Sequence, residues 1–462
     1  MKTLVIIGAG FSGTVAAVEF LRCAPAGARL IIINRSGSIA RGLAYGTSSS
    51  QHLLNVPAGN MTALVDEPDS FLRYCQSSLP ETTESSFISR KSYGDYLASL
   101  LDSAELNAKK KTNVERITSE VKSLTPQENG ALVELCSGKK IFTDQVILAF
   151  GHFPPRTPPL LQQVINTPIY MADPWSGPVS TLENSNSPIL LIGGGLTALD
   201  VISSLRQTAH TGQIYMLSRR GLLPLAHRTT KNGSLPAASF REKLLKAEPT
   251  ALNYFRLIKA QVKSSAKSGA NWRDVIAAVR PITSDLWIKL PESERRRFLR
   301  HAQPYWDVHR HRVAPETHKH FKDEFDKKKI TAIAGRIKSV DVCRDSALVT
   351  IQLRNTHTIK QIKIDRIINC TGPSSNPEHI KEPLIQQLIN DGLISVDNQG
   401  LGLIVDNNLA VKSKDGSPSE WLSYVGPMLK ASFWEATAVP ELRLYASALA
   451  KKVSRKLSST QD

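Results

Sequence analysis

Short apolar runs broken off by glycine occur twice in this chain in the same arrangement. Thr3-Leu4-Val5-Ile6-Ile7 leads into Gly8-Ala9-Gly10-Phe11-Ser12-Gly13, and Ile189-Leu190-Leu191-Ile192 leads into Gly193-Gly194-Gly195-Leu196-Thr197-Ala198. A continuous apolar run bounded by turn residues predicts a strand buried on both faces. A helix-like stretch follows each turn, so each site predicts a β-α-β unit. In such a unit the first glycine makes the turn and the second lets backbone amides approach a pyrophosphate. The third glycine, or Ala198, lets helix and strand pack closely. The next strands are predicted at Arg29–Ile33 and Gly212–Leu217.

The pattern then switches to period two, again twice. Val114 to Ala149 alternates in short strands and closes in Gln145-Val146-Ile147-Leu148-Ala149-Phe150-Gly151; Ala332 to Thr371 alternates likewise and closes in Arg366-Ile367-Ile368-Asn369-Cys370-Thr371-Gly372. Proline-rich chain follows each closure. The repeat predicts a β-meander finishing each unit. Between the second glycine turn and the second meander, Arg228 to Phe325 lacks strand patterning and has helical periodicity with many basic residues. It predicts a helical insertion. Trp421 to Leu449 predicts a strand and then a helix. The fold class is α/β: two Rossmann-like dinucleotide-binding domains, each with a β-meander, plus the insertion.

Composition narrows the function. The chain has 462 residues and a formal charge of +17, with five cysteines and no C-x-x-C. That cysteine usage argues against a structural zinc site and a redox-active dithiol, and predicts a reducing compartment, the cytoplasm. No apolar run approaches the roughly 20 residues that span a bilayer. The positive charge fits anionic cofactors, and no zinc-finger or RNA-binding signature accompanies it, so no nucleic-acid partner is expected.

Further motifs resemble a family. Arg41-Gly42-Leu43-Ala44-Tyr45-Gly46, His52-Leu53-Leu54-Asn55-Val56-Pro57-Ala58, Tyr93-Gly94-Asp95-Tyr96-Leu97 and Ser218-Arg219-Arg220-Gly221-Leu222-Leu223-Pro224 are similar to segments of the bacterial NAD(P)/FAD-binding proteins of the urate hydroxylase and nitrosuccinate synthase type. So are Trp306-Asp307-Val308-His309-Arg310-His311-Arg312 and the tail from Trp434 to Arg443. The resemblance implies an FAD domain built from both ends of the chain (1–155 and 373–462) and an NAD(P)H domain between them (156–228 and 330–372). It leaves 229–329 as a substrate or lid region. It also implies a flavoprotein with FAD and a nicotinamide nucleotide as cofactors. The expected activity is an NAD(P)H oxidoreductase, a monooxygenase that hydroxylates a small polar or anionic substrate with O2 through a flavin C4a-hydroperoxide. A reductase serving a quinone or protein partner, and a non-catalytic flavin-bound regulatory protein, are the alternatives. The substrate and the oligomeric state are not specified.

Candidate residues follow from this. Gly8, Gly10, Phe11, Ser12 and Gly13 would cradle the FAD pyrophosphate at a helix N-terminus. Asn34 stands where an acid usually binds the adenosine ribose, with Arg35 beside it; its amide can still hydrogen-bond a hydroxyl. Gly42 would permit close approach, and Asn55 either reaches the flavin edge or belongs to a loop stiffened by Pro57. Gly151, Gly426 and Trp434 complete the expected flavin set, although Trp434 could equally pack. Gly193, Gly195, Leu196 and Thr197 would hold the second nucleotide. Arg219 and Arg220, with Ser218 and no acid nearby, suit a 2′-phosphate and favour NADPH over NADH. Asn55 is one catalytic candidate, and His309 and Arg312 are the others. Their cluster reads as an anion-binding patch or as a salt-bridged helix packed on the flavin domain, and no metal is expected there.

Overall fold

The computed structural model describes residues 1–108, 111–177, 185–229, 236, 238–267 and 269–459. Residues 178–184 of the second unit, and 230–235, 237 and 268 of the insertion, lie outside the described residues.

The first unit contains β1 (Thr3–Ile7), β2 (Ala28–Asn34), β3 (Thr112–Thr118), β4 (Val121–Gln127), β5 (Gly130–Leu135), β6 (Lys140–Thr143) and β7 (Gln145–Leu148). The second contains β8 (Tyr170–Met171), β9 (Ile189–Ile192), β10 (Ile214–Ser218), β11 (Ile330–Cys343), β12 (Ser346–Leu353), β13 (Ile359–Ile364) and β14 (Arg366–Asn369). β15 (Ala410–Lys412) and β16 (Pro418–Tyr424) then return to the first sheet. Its order is β15-β16-β7-β1-β2-β3, and that of the second sheet is β13-β12-β11-β10-β9-β14-β8. The parallel order β7-β1-β2-β3 thus recurs as β14-β9-β10-β11. Every residue of β1 and β9 is buried, as the uninterrupted apolar runs require.

The meanders differ. In the first unit β4, β5 and β6 form a sheet of their own. In the second, β11 pairs in parallel with β10 through Ile330–Ala334 and antiparallel with β12 further on, fusing meander to main sheet. Two helices, Ser70–Ser78 and Arg90–Ala108, lie between β2 and β3.

The C-terminal helix, Val439–Ser459, lies against the helix Phe11–Cys23. The Ser447 hydroxyl donates to the buried Glu19 carboxylate at 2.7 Å. Both ends of the chain therefore build the first unit. The insertion is helical over its described residues, from Ala238–Lys246 to Pro315–Asp326. It follows the second unit in sequence but packs on the first: Phe240, Leu244, Tyr254, Val275, Val279 and Trp287 share a core with Leu401, Ala431 and Trp434. Arg280 pairs with Glu441 (2.8 Å) and Arg310 with Glu435 (2.9 Å) along this seam.

Candidate functional site

Both glycine turns take the predicted form. Gly8 (φ +102°) and Gly193 (φ +114°) make them, each seated against the end of the returning strand, at Ala149 and at Cys370. A Cβ on Gly13 would overlap the Gly8 carbonyl oxygen, so helix and turn meet there without room for a side chain. The helices Phe11–Cys23 and Leu196–Gln207 both have glycine N-caps, no side-chain cap and no acid in the first turn. Their free N–H groups and positive dipole ends favour anions.

A cleft of about 900 Å3 opens at the C-terminal ends of β1, β2 and β7, where open α/β sheets bind ligands. Gly8, Gly10, Phe11 and Ser12 form its floor, with Asn34 and Arg35 on one side and Gly42 and Gly151 on others. Gly10 and Gly42 face each other: a Cβ on Gly42 (φ +55°) would stand 3.0 Å from the Gly10 Cα. Such a paired approach of bare backbone is what a pyrophosphate requires. With the volume and the uncapped helix start, these residues fit an FAD-type dinucleotide.

Several assigned residues are placed otherwise. Asn34 is engaged by its own chain: its Oδ1 accepts from the Ala9 N–H (3.2 Å), and its Nδ2 donates to the Ser36 carbonyl (2.6 Å). Arg35 pairs with Glu382 at 3.0 Å. Asn55 lies off the large cleft, beside a small void shared with Leu196 and Val313, and its carbonyl meets His227 Nε2 at 2.9 Å. Gly426 is not in the cleft wall, although Pro427 is; the Tyr424 hydroxyl donates to the Phe150 carbonyl (3.1 Å) and accepts the Met428 N–H (3.0 Å), holding this turn to the end of β7. Trp434 is buried against Trp287, Phe298 and Lys430, where it packs the insertion rather than facing the cleft.

The second turn opens elsewhere. Gly193, Gly195, Leu196 and Thr197 do not line the large cleft. Gly195 has open space where a Cβ would project, and Gly194 faces Leu222 and Ser218. Ser218 accepts the Gly221 N–H (3.0 Å). Arg219 is exposed, whereas Arg220 donates to the Arg300 carbonyl (2.6 Å). Among the described residues, none of 229–329 lines the cleft. His309 bonds its own helix at the Tyr305 carbonyl (2.7 Å) and meets Trp272 edge-on, while His311 points to Asp307.

Sequence reasoning missed the wall contributed by the second unit. Ser204, Gln207 and Thr208 close the cleft from the far end of their helix. His52 bridges the units, bonded to Thr47 Oγ1 and to Ser204 Oγ, both at 2.8 Å. Arg90 crosses the same junction to the largely buried Asp200 at 2.9 Å; burial still holds the Asp200 carboxyl above its ordinary range. Tyr45, also in the cleft wall, is pushed up to about 12 by burial. His152 lines the cleft too, at an exposed position. No motif marks Ser204 or Gln207, since only the packing of the units brings them in.

Residues 5–153 match a family described as FAD-NAD(P)-binding. No curated protein matches the chain. Among solved structures, an ornithine hydroxylase of Pseudomonas aeruginosa has a TM-score of 0.63 at 14% identity, covering 99% of this chain and 100% of its own. A cadaverine monooxygenase of Erwinia amylovora gives 0.65 at 12%, covering 97% and 94%. A thioredoxin reductase of Lactococcus lactis gives 0.54 at 11%, covering 100% of both chains. At these identities the likeness is one of fold: two Rossmann-type units in one chain. Among the described residues no helix is long and apolar enough to cross a membrane.

Proposed function

We propose that this protein is an FAD-dependent NAD(P)H oxidoreductase, a flavin monooxygenase acting on a small polar or anionic molecule in the cytoplasm. The observation that carries this reading is the cleft in which Gly10 and Gly42 face each other below an uncapped helix start. Backbone amides at Gly10 to Ser12 would hold the flavin nucleotide's pyrophosphate, and the Leu196 helix start, with Arg219, would hold a nicotinamide nucleotide. FAD would supply the electron storage and the oxygen chemistry, and the chain's part is to bind, orient and exclude water. The ornithine hydroxylase and cadaverine monooxygenase match better than the thioredoxin reductase, and the five cysteines form no C-x-x-C; both support oxygenase over dithiol reductase. The resemblance to the urate hydroxylase and nitrosuccinate synthase group agrees in chemistry and leaves the substrate open.

The test is nucleotide analysis of the denatured protein, then anaerobic reduction by NADPH and oxygen uptake with a panel of purines and amino acids. Released FAD, flavin bleaching by NADPH and substrate-dependent incorporation of oxygen are expected. FMN, or no flavin, defeats the assignment of the first turn; reduction with no oxygen incorporation into any substrate moves the protein to the reductases.

A further inference from the structure

One cluster of charge is left unbalanced by the fold. Where the insertion meets the Leu53–Asn55 loop and the segment after β10, four guanidiniums converge: Arg228, Arg273, Arg310 and Arg312. The isolated parallel bridge between Ala226 and Val313 draws the two segments together. Among the described residues, two carboxylates form ion pairs with them. Arg228 pairs with Asp274 at 2.6 Å, and Arg310 with Glu435 at 2.9 Å. Arg273 spends its donors on the Ala226 carbonyl (2.8 Å) and lies over the Trp272 ring at 4.4 Å.

Arg312 has neither hydrogen bond nor ion pair among the described residues, and its Nε is buried without a partner. The Trp272 face lies 5.9 Å from it, and the Asp274 carboxylate, already paired with Arg228, acts on it without bonding it. The Arg310 side chain is only 10% exposed, and its Nη2 is also buried without a partner. His227, against the Asn55 carbonyl, is held down to about 4, by burial and then by Arg312, so it adds no charge near neutrality. Burial, with Arg273, Arg310 and Arg228 beside it, pulls Arg312 to about 10. A guanidinium with a buried, unpartnered nitrogen and other cations around it is costly, and a fold keeps one where an anion completes it. Guanidinium forks match carboxylate oxygens two by two.

We propose that Arg310 and Arg312 form an anion-binding site, walled by Trp272 and Arg273, that receives a carboxylate of the enzyme's small-molecule substrate. The proposal rests on the oxidoreductase reading only in taking the occupant to be a substrate. A phosphate of the nicotinamide nucleotide shares the chemistry. The exposed Arg219 next to the second glycine turn is the better seat for that group.

Calorimetric titration of the purified full-length chain tests this without reading turnover. The probes are succinate, its neutral diamide succinamide, and NADP+, at matched chloride. Succinate should bind saturably and raise Tm, and succinamide should do neither. Arg312→Leu should weaken succinate at least tenfold and leave NADP+ unchanged, with Arg312→Lys in between. Because Arg312 is repelled by its neighbours, Arg312→Leu should hold or raise Tm without ligand, where a packing residue would lower it. Indifference of the wild type to succinate overturns the proposal, as does succinate binding unaffected by Arg312→Leu. A fall in NADP+ affinity instead assigns the cluster to the nucleotide. If Arg312→Leu does not fold, the packing role stands and the site is rejected. Missing flavin would defeat the proposed function but leave the succinate titration readable.

Discussion

The two nucleotide units share a strand order and a glycine turn, yet the large cleft belongs to the first. Above β1 and β2 the chain takes the long detour through Arg41–Ser49, and its C-terminal part returns to add Pro383–Ile385 and Pro427 to the wall. Above β9 and β10 the Ser218–Leu222 turn stays close over Gly194. A Rossmann core thus provides a phosphate cradle, while the chain that rises above it decides how much of a nucleotide is enclosed. The third position of each turn shows the same divergence: Gly13 has no room for a Cβ, whereas Ala198 carries one, fully buried.

The widest break in this comparison should come from Gly13→Val. Its Cβ would overlap backbone, so the first unit should fail to form and soluble yield should collapse, whereas Ala198→Gly should cost about 1 kcal/mol, the usual helix penalty. Far-UV circular dichroism and thermal melts check both, and a well-folded Gly13→Val protein would refute the packing argument. Next come two variants that separate the nucleotides. The nearest atom to a Cβ on Gly10 would be the Gly42 Cα at 3.6 Å, and one on Gly195 would meet nothing. Both valine variants should fold. Gly10→Val should lose FAD, and Gly195→Val should keep FAD but slow reduction by NADPH. The same loss in both would mean that the turns do not serve separate nucleotides.

A pH series tests the first unit's seam with the insertion. His227 is held down to about 4, first by burial and then by Arg312, against an ordinary 6.5. Folded, it binds fewer protons than unfolded between about pH 6.5 and 4. Its stabilising contribution is therefore complete above 6.5 and lost as pH falls through that window. Tm should drop from pH 7 to 5, and His227→Gln should flatten the slope; an unchanged slope excludes His227 as a contributor. The smallest effect belongs to the second turn. Arg219→Ala should narrow the preference for NADPH over NADH by roughly tenfold, as loss of one charged hydrogen bond does. Arg220→Ala should do less, because Arg220 already serves the Arg300 carbonyl. Equal effects would contradict that division, and steady-state KM values for the two nucleotides decide it.

The strands, turns and repeat could be read directly from the chain because they rest on local rules. Thr3–Ile7 and Ile189–Ile192 are apolar because both faces are covered, and Gly8 and Gly193 are glycine because φ is positive there. The helical character of the insertion was equally legible in its periodicity. Its position was not: it follows the second unit in sequence but rides on Leu401, Ala431 and Trp434 of the first. Trp434 reads as a member of the flavin set or as a packing residue until Trp287 is found against it, 4.6 Å between ring centroids. Asn34 looks free until the Ala9 N–H takes its oxygen. Periodicity and φ preferences act over a few residues and are written in composition. Which side chain remains unpaired, as Arg312 does among the described residues, depends on what distant segments bring to it, so only the packed chain decides it.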